Sequence, residues 1–202
     1  MLSVQPLKKG NKTKQFILQE ALHYAKAVGL EGVTIGKLST LVGMSKGGLA
    51  AHFQSKEDLQ LNILETASAI FQDTIVNPAL QFDQAIERMK LLFKLWLDDL
   101  KNEDAPSGCL IINAAFEFND RVGVVKDYIL QILHDFYLLL QELVTLAVEQ
   151  GYLRPNTDIK QFVFEWQSIV LGYHQYLNLQ SSRGLRKRAE VAFDALVERY
   201  KA

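Results

Sequence analysis

The 202-residue sequence predicts an all-α fold of about nine helices. Apolar residues recur at helical spacing along nearly the whole chain, and clean strand alternation occurs nowhere. The periodic stretches are separated by plain stop signals rich in Gly, Pro, Asn and Asp. The elements group into an N-terminal domain of three helices over residues 1–60 and a C-terminal helical domain over residues 61–202.

The first helix is expected from about Thr13 to Val28. Ile17, Ala21, Tyr24, Ala25 and Val28 lie on one face, and Gly29 supplies the stop. Thr34 can cap a short second helix carrying Ile35, Leu38 and Leu41. After a turn at Val42 to Met44, Ser45 can cap a third carrying Leu49. Ser55 with Asp58 three residues on reads as a capping box, and Glu57 and Asp58 suit the positive end of a longer helix through Ile63, Ala67 and Ile70. Asn77 and Pro78 are expected to end it. Apolar faces then run over Phe82 to Leu97, Cys109 to Phe118, Val124 to Val148, Ile159 to Leu179 and Leu185 to Tyr200. Their stops are Pro106 with Gly108, Asn119 with Asp120, Gly151, Pro155, and Ser181 to Gly184. A helix from Arg121 to Gln150 would run roughly 45 Å at 1.5 Å per residue, long enough to cross the domain.

Composition narrows the class. At 49% hydrophobic and 22% charged, with 12 Gly and 4 Pro, the chain is neither disordered nor fibrous. Its single cysteine, Cys109, excludes an intramolecular disulfide and a cysteine-based zinc site, and beside Leu110 to Ile112 it reads as a buried thiol. The first residues lack a secretory signal, and no stretch of about 18 consecutive apolar residues follows, so a cytoplasmic protein with no membrane partner is expected. The net charge of -1 conceals an asymmetry. Residues 1–60 hold eight lysines against four carboxylates, or +4, and the remainder carries -5. The lysines from Lys8 to Lys14 admit two readings: an arm that follows a DNA backbone, or a solvated tail.

Between Thr34 and Leu59 the chain reads TIGKLSTLVGMSKGGLAAHFQSKEDL. Two helices of under ten residues joined at Gly43 are the layout of a helix-turn-helix, whose second helix enters the DNA major groove. From Ser45 to Ala51 that helix presents Ser45, Lys46, glycines and alanines. Low bulk lets its backbone and short side chains approach phosphates and base edges closely. Leu38, Leu49 and Phe53 form the expected core of the pair.

These residues resemble the N-terminal domain of TetR-type bacterial transcriptional regulators. The resemblance runs from Thr13 and Ile17 through Gly29, Thr34, Ile35, Leu38, Val42, Gly43, Ser45, Lys46, Gly47, Leu49, His52, Phe53, Lys56 and Leu59. The stretch GCLIINAAFEFNDR, Gly108 to Arg121, is similar to one of the family's C-terminal domain types. The resemblance implies a homodimeric repressor, without cofactor, metal or catalytic activity, that binds a palindromic double-stranded DNA operator. Its C-terminal ligand-binding and dimerisation domain would take a small-molecule effector that changes operator affinity. It implies DNA contacts at Thr34, Ser45, Lys46, Gly47, Gly48 and Lys56, with His52 in the same motif. Two positions depart from the pattern. Ala50 stands where Tyr is common and Gly48 where Thr is common, which removes a phosphate-contacting hydroxyl and a possible base contact. An all-α ligand-binding module without DNA recognition is the alternative those departures raise.

An enzyme is the other rival, because Gly43, Met44, Ser45, Lys46 and Gly47 match the nucleophile-elbow pattern of serine hydrolases. That motif needs a strand before the serine. Helical period over Thr34 to Val42 favours capping for Ser45. His52 beside Phe53 is better suited to packing than to acid–base work, and His23, His134 and His174 show no metal-ligand spacing.

The run from Trp166 to Ser182 carries no charge and is rich in aromatics, as interface centres are. With the last helix it is expected to form half of a four-helix dimer interface, through Trp166, Val170, Tyr173, His174, Leu177, Phe193 and Leu196, set against the reading in which some of these aromatics fill the subunit's own core while Gly172 and His174 stay at the interface. Dimerisation would set two recognition helices about 34–36 Å apart, one turn of DNA. Phe93, Trp96, Asn113, Phe116, Glu117, Tyr128 and Tyr137 are the candidates for an apolar effector pocket with a few polar groups, set against the simpler reading of an aromatic core.

Overall fold

The computed structural model describes residues 9–101, 108–179 and 183–202. Lys8, Pro106 and Ser181, to which the sequence assigns an arm or stops, lie outside them. Nine helices are formed among the described residues: α1 Lys9–Val28, α2 Ile35–Leu41, α3 Lys46–Ala50, α4 Lys56–Phe71, α5 Ala85–Leu100, α6 Leu110–Glu117, α7 Val124–Glu149, α8 Ile159–Leu179 and α9 Leu185–Tyr200. No strand is present among them, only an isolated bridge between Leu153 and Lys201.

Two expectations are displaced: α1 begins at Lys9 and not at Thr13, so Lys9, Lys12 and Lys14 lie on a helix and not in an arm or tail before it. Asn77 and Pro78 do not end α4, which continues through a π-helical turn, Gln72–Val76, into Asn77–Ala79. Pro78 sits in the first turn of that last segment, where a missing N–H and a fixed φ are tolerated.

The chain divides into two compact units. One runs to Ala69 and takes in Leu110–Ile129; the other comprises Ile70–Cys109 and Leu130–Ala202. This differs from a cut at residue 60, because α6 packs with the N-terminal helices. In the first unit Ile17, Ala21 and Ala25 of α1 are buried with Leu38, Leu49, Phe53, Leu59 and Ile63. Each of the Ile, Leu and Phe side chains among them contributes about 1.5–3 kcal/mol relative to its exposed state. The N-terminal turn of α4 is built as its capping residues require: Ser55 Oγ accepts the Asp58 N–H at 3.0 Å, and the Asp58 carboxylate accepts the Gln54 N–H at 2.8 Å.

In the second unit Gln150, just beyond α7, caps α5. Its side-chain oxygen accepts the Ala85 N–H at 2.7 Å and its amide donates to the Asp83 carbonyl. The Phe93 ring stacks on Phe193 at 4.1 Å, and Trp166 packs against Phe162 and Phe193. Phe71, Trp96 and Phe136 meet edge to face. By length and composition α7 could cross a membrane, with a mean hydropathy of 1.3 over its most apolar 18 residues. Of that window 22% is buried within the subunit, and Leu140, Leu143, Val144 and Ala147 of α7 are among its buried residues.

Candidate nucleic-acid interface

Both short helices start where the sequence places their caps. Thr34 is extended, and its Oγ1 accepts the Lys37 N–H at 3.3 Å. Ser45 is also extended, and its Oγ accepts the Gly48 N–H at 3.0 Å. Between them Gly43 adopts φ +67°, a left-handed conformation that costs glycine little and reverses the chain after α2. Ser45 is preceded by a helix and a turn, with its oxygen engaged in capping, so the nucleophile-elbow geometry is absent from this segment.

Leu38, Leu49 and Phe53 are buried and fix α3 against α2. The opposite side of α3 presents Lys46, Gly47 and Ala50, all exposed. Among the described residues Lys46 forms no salt bridge. Its chain passes Gly36 closely enough that a Cβ there would lie 3.5 Å from Cε. A Cβ at Gly47 would meet nothing within 4 Å, so the protein's own packing does not demand glycine at that position. A cation, two capping hydroxyls and accessible backbone suit phosphate. The face carries no guanidinium or carboxamide for bidentate base readout, and the Ala50 methyl offers apolar contact of the kind made to thymine.

Lys56 is committed differently. Its Nζ pairs with Glu31 Oε1 at 2.6 Å, and Arg121 Nη1 reaches Glu31 Oε2 at 3.1 Å. Gln60, only 2% exposed, donates to both the Leu30 carbonyl and Glu31 Oε2. The hydrogen bond from Lys56, with those from Gln60 and Arg121 and the charge of Lys56, outweighs desolvation and holds the Glu31 carboxyl below the usual carboxylate range. Its contribution is therefore present above the unfolded carboxylate value of about 4.3 and is lost as pH falls through the lower folded value. Acid unfolding of Glu31→Gln, followed by urea midpoints between pH 2 and 6, should show less pH dependence than wild type; equal slopes would refute the role of this carboxylate.

The pocket candidates do not behave as one group. Glu117 accepts the backbone N–H groups of Leu30 and Glu31 at 2.9 and 3.0 Å, so its carboxylate is taken up by the turn between α1 and α2. Phe116 is 69% exposed and Asn113 is half-buried. Tyr128 is half-buried, with burial and then the nearby Glu65 charge pushing its phenol pKa up. These four belong to the first unit; Phe93, Trp96 and Tyr137 belong to the second. Phe93 and Trp96 are packed into its interior, and Tyr137 is half-buried.

Most of the residues expected at the interface are buried in the subunit itself. Trp166, Val170, Tyr173, His174, Phe193 and Leu196 are buried within the single subunit. They lie on the inward stripes of α8 and α9, where the Trp166 and Phe193 rings are in contact, and Tyr173 also borders the groove on the outward side. Leu177 is half-buried. The outward face instead exposes Phe164, Leu171, Tyr176 and Val191 beside a groove of about 500 Å³ lined by Ser168, Ile169, Gly172, Ala189 and Ala192.

Residues 17–63 match the family described as bacterial regulatory proteins, tetR family. Residues 85–193 match the tetracyclin repressor-like C-terminal domain. The chain belongs to the TetR family. It is thus a DNA-binding transcriptional regulator, and α2 with α3 is the TetR helix-turn-helix. A curated relative, the HTH-type transcriptional repressor DhaR of Mycobacterium sp. (strain GP1), is 22% identical over 170 residues, covering 78% of this chain and 80% of its own. The TetR-family regulator of Cytophaga hutchinsonii superposes with a TM-score of 0.85 at 16% identity, covering 98% of this chain and 99% of that one. AibR in complex with isovaleryl coenzyme A and operator DNA gives 0.71 at 21% identity, with 93% and 97% covered. In this TetR chain, sequence reasoning missed Glu31, Gln60 and Arg121 as one network. Gln60 beside Leu59 and Ile63 on the buried side of α4 was the available signal.

Proposed function

We propose that the chain is a cytoplasmic, ligand-responsive repressor that binds a palindromic operator as a homodimer and acts without catalysis. The observation that carries this reading is the capped α2–turn–α3 pair, held from beneath by Leu38, Leu49 and Phe53, with Lys46 and small residues outward. The relative named a repressor supports the direction of regulation, and AibR, solved with an acyl coenzyme A and operator DNA, supports a fold that serves both ligands. The outward face of α8 and α9 is the proposed dimer surface, with Tyr176, Leu171 and Val191 in place of the buried aromatics. Thr34, Ser45, Lys46, Gly47 and Gly48 are the proposed DNA-facing set. Lys56 joins it where phosphate competes with Glu31, and His52 stands beside Phe53 with ring centroids 6.4 Å apart. An effector changes operator affinity only by its differential affinity for two conformers of the dimer.

Footprinting on the DNA flanking the protein's own gene tests this. The expected result is a two-fold symmetric protected site with half-sites about 34–36 Å apart and affinity that falls steeply between 50 and 200 mM salt. Binding with no preference over random DNA would refute the reading.

A further inference from the structure

Glu117 lies on α6, outside the helix-turn-helix match, yet both of its carboxylate oxygens are spent on the helix-turn-helix side of the first unit. They accept the N–H groups of Leu30 and Glu31, two donors that the turn between α1 and α2 leaves without helical partners. The fit is close: Gly29 takes φ +81°, and a Cβ there would lie 2.7 Å from Glu117 Oε1. The same turn is gripped twice more. Gln60 takes the Leu30 carbonyl, and Arg121, in the loop after α6, pairs with the Glu31 side chain. Backbone and side chain of the turn are therefore both referred to α6 and its following loop. From the turn the chain passes the buried Val33 to Thr34, the cap of α2, so a displaced turn shifts the start of α2 and with it the α3 packed against it.

We propose that Glu117 is a positioning residue for operator binding, holding the α1–α2 turn and through it the helix-turn-helix in the geometry that fits DNA. The inference rests on the regulator reading above. The sign of the effect separates positioning from electrostatics. A carboxylate repels phosphate, so its removal by charge alone raises DNA affinity, whereas loss of positioning lowers it. Nor does Glu117 contribute a phosphate contact, so the salt dependence stays as in wild type.

The test uses full-length Glu117→Ala and Glu117→Gln with the operator fragment recovered by footprinting, at a temperature where circular dichroism shows every protein folded. Glu117→Ala should lose about tenfold or more in operator affinity, as expected for two charge-assisted hydrogen bonds felt unequally by bound and free states. Its log–log salt slope should be unchanged. Glu117→Gln should fall between, since its amide oxygen accepts one N–H while its NH2 group cannot accept the other. If Glu117→Ala does not fold, Glu117→Gln alone decides. Folded variants that bind the operator as tightly as wild type, or more tightly, would overturn the role of Glu117 and leave the regulator reading intact. A wild type without site preference would overturn both.

Discussion

Trp166→Ala lowers the stability of the subunit by about 3–5 kcal/mol, the range for removing a large aromatic from a packed interior. At about 2–4 °C per kcal/mol for a chain of this length, the melting temperature falls by roughly 6–20 °C. The reason is burial without a polar stake. Trp166 is 0% exposed and packs against Phe162 and Phe193, and its indole N–H finds no acceptor among the described residues. Truncation therefore opens a cavity without orphaning a hydrogen-bond partner, and Trp166→Phe, which keeps an aromatic in the site, costs less. Urea unfolding paired with the dimer dissociation constant from sedimentation gives the check. A core residue lowers subunit stability and leaves dimer affinity nearly unchanged. A residue at the dimer face does the reverse, and that outcome at Trp166 would restore it to the interface. Gly172 is the matched control: a Cβ there meets nothing within 4 Å, so Gly172→Arg leaves the subunit intact and weakens the dimer.

Lys46→Ala weakens operator binding about thirtyfold at 0.15 M salt. Each phosphate contact adds about 0.9 to the log–log salt slope, and a dimer loses two, so the slope falls by about 1.8; that difference, carried from 1 M down to 0.15 M, gives the factor. The loss should be nearly uniform across sequences, because an ammonium on phosphate carries no base information. Lys56→Ala should have a smaller net effect, since the wild-type ammonium must first be drawn from Glu31 at 2.6 Å. Fluorescence anisotropy from 0.05 to 0.4 M salt measures both. An unchanged slope for Lys46→Ala would remove Lys46 from the backbone contacts, and a selective loss on the operator alone would make it a base reader.

The helix-turn-helix was legible because its signals are local. A cap acts within three residues, a turn glycine at one, and the apolar spacing of Leu38, Leu49 and Phe53 reports a face whichever way the rest of the chain runs. The same locality explains the error at Asn77 and Pro78, where a π-helical turn carried α4 past residues that usually stop a helix. Which apolar residues lie inside the subunit was not legible, because composition reports that a stripe is apolar and not which stripe is covered. Trp166 and Tyr176 look alike in sequence; one lies inside the subunit and the other is exposed.

The sequence by itself therefore determined an all-α TetR chain, the position of its helix-turn-helix, and a lysine-rich head on an acidic body. Each of these rests on periodicity, capping chemistry or charge, which neighbouring residues fix between them. Only the tertiary structure decided that both Glu117 oxygens are taken up by the α1–α2 turn, and that Lys56, Arg121 and Gln60 converge on Glu31. Those contacts join residues tens of positions apart through hydrogen bonds worth about a kcal/mol each, and no local pattern encodes which carboxylate will meet which amide.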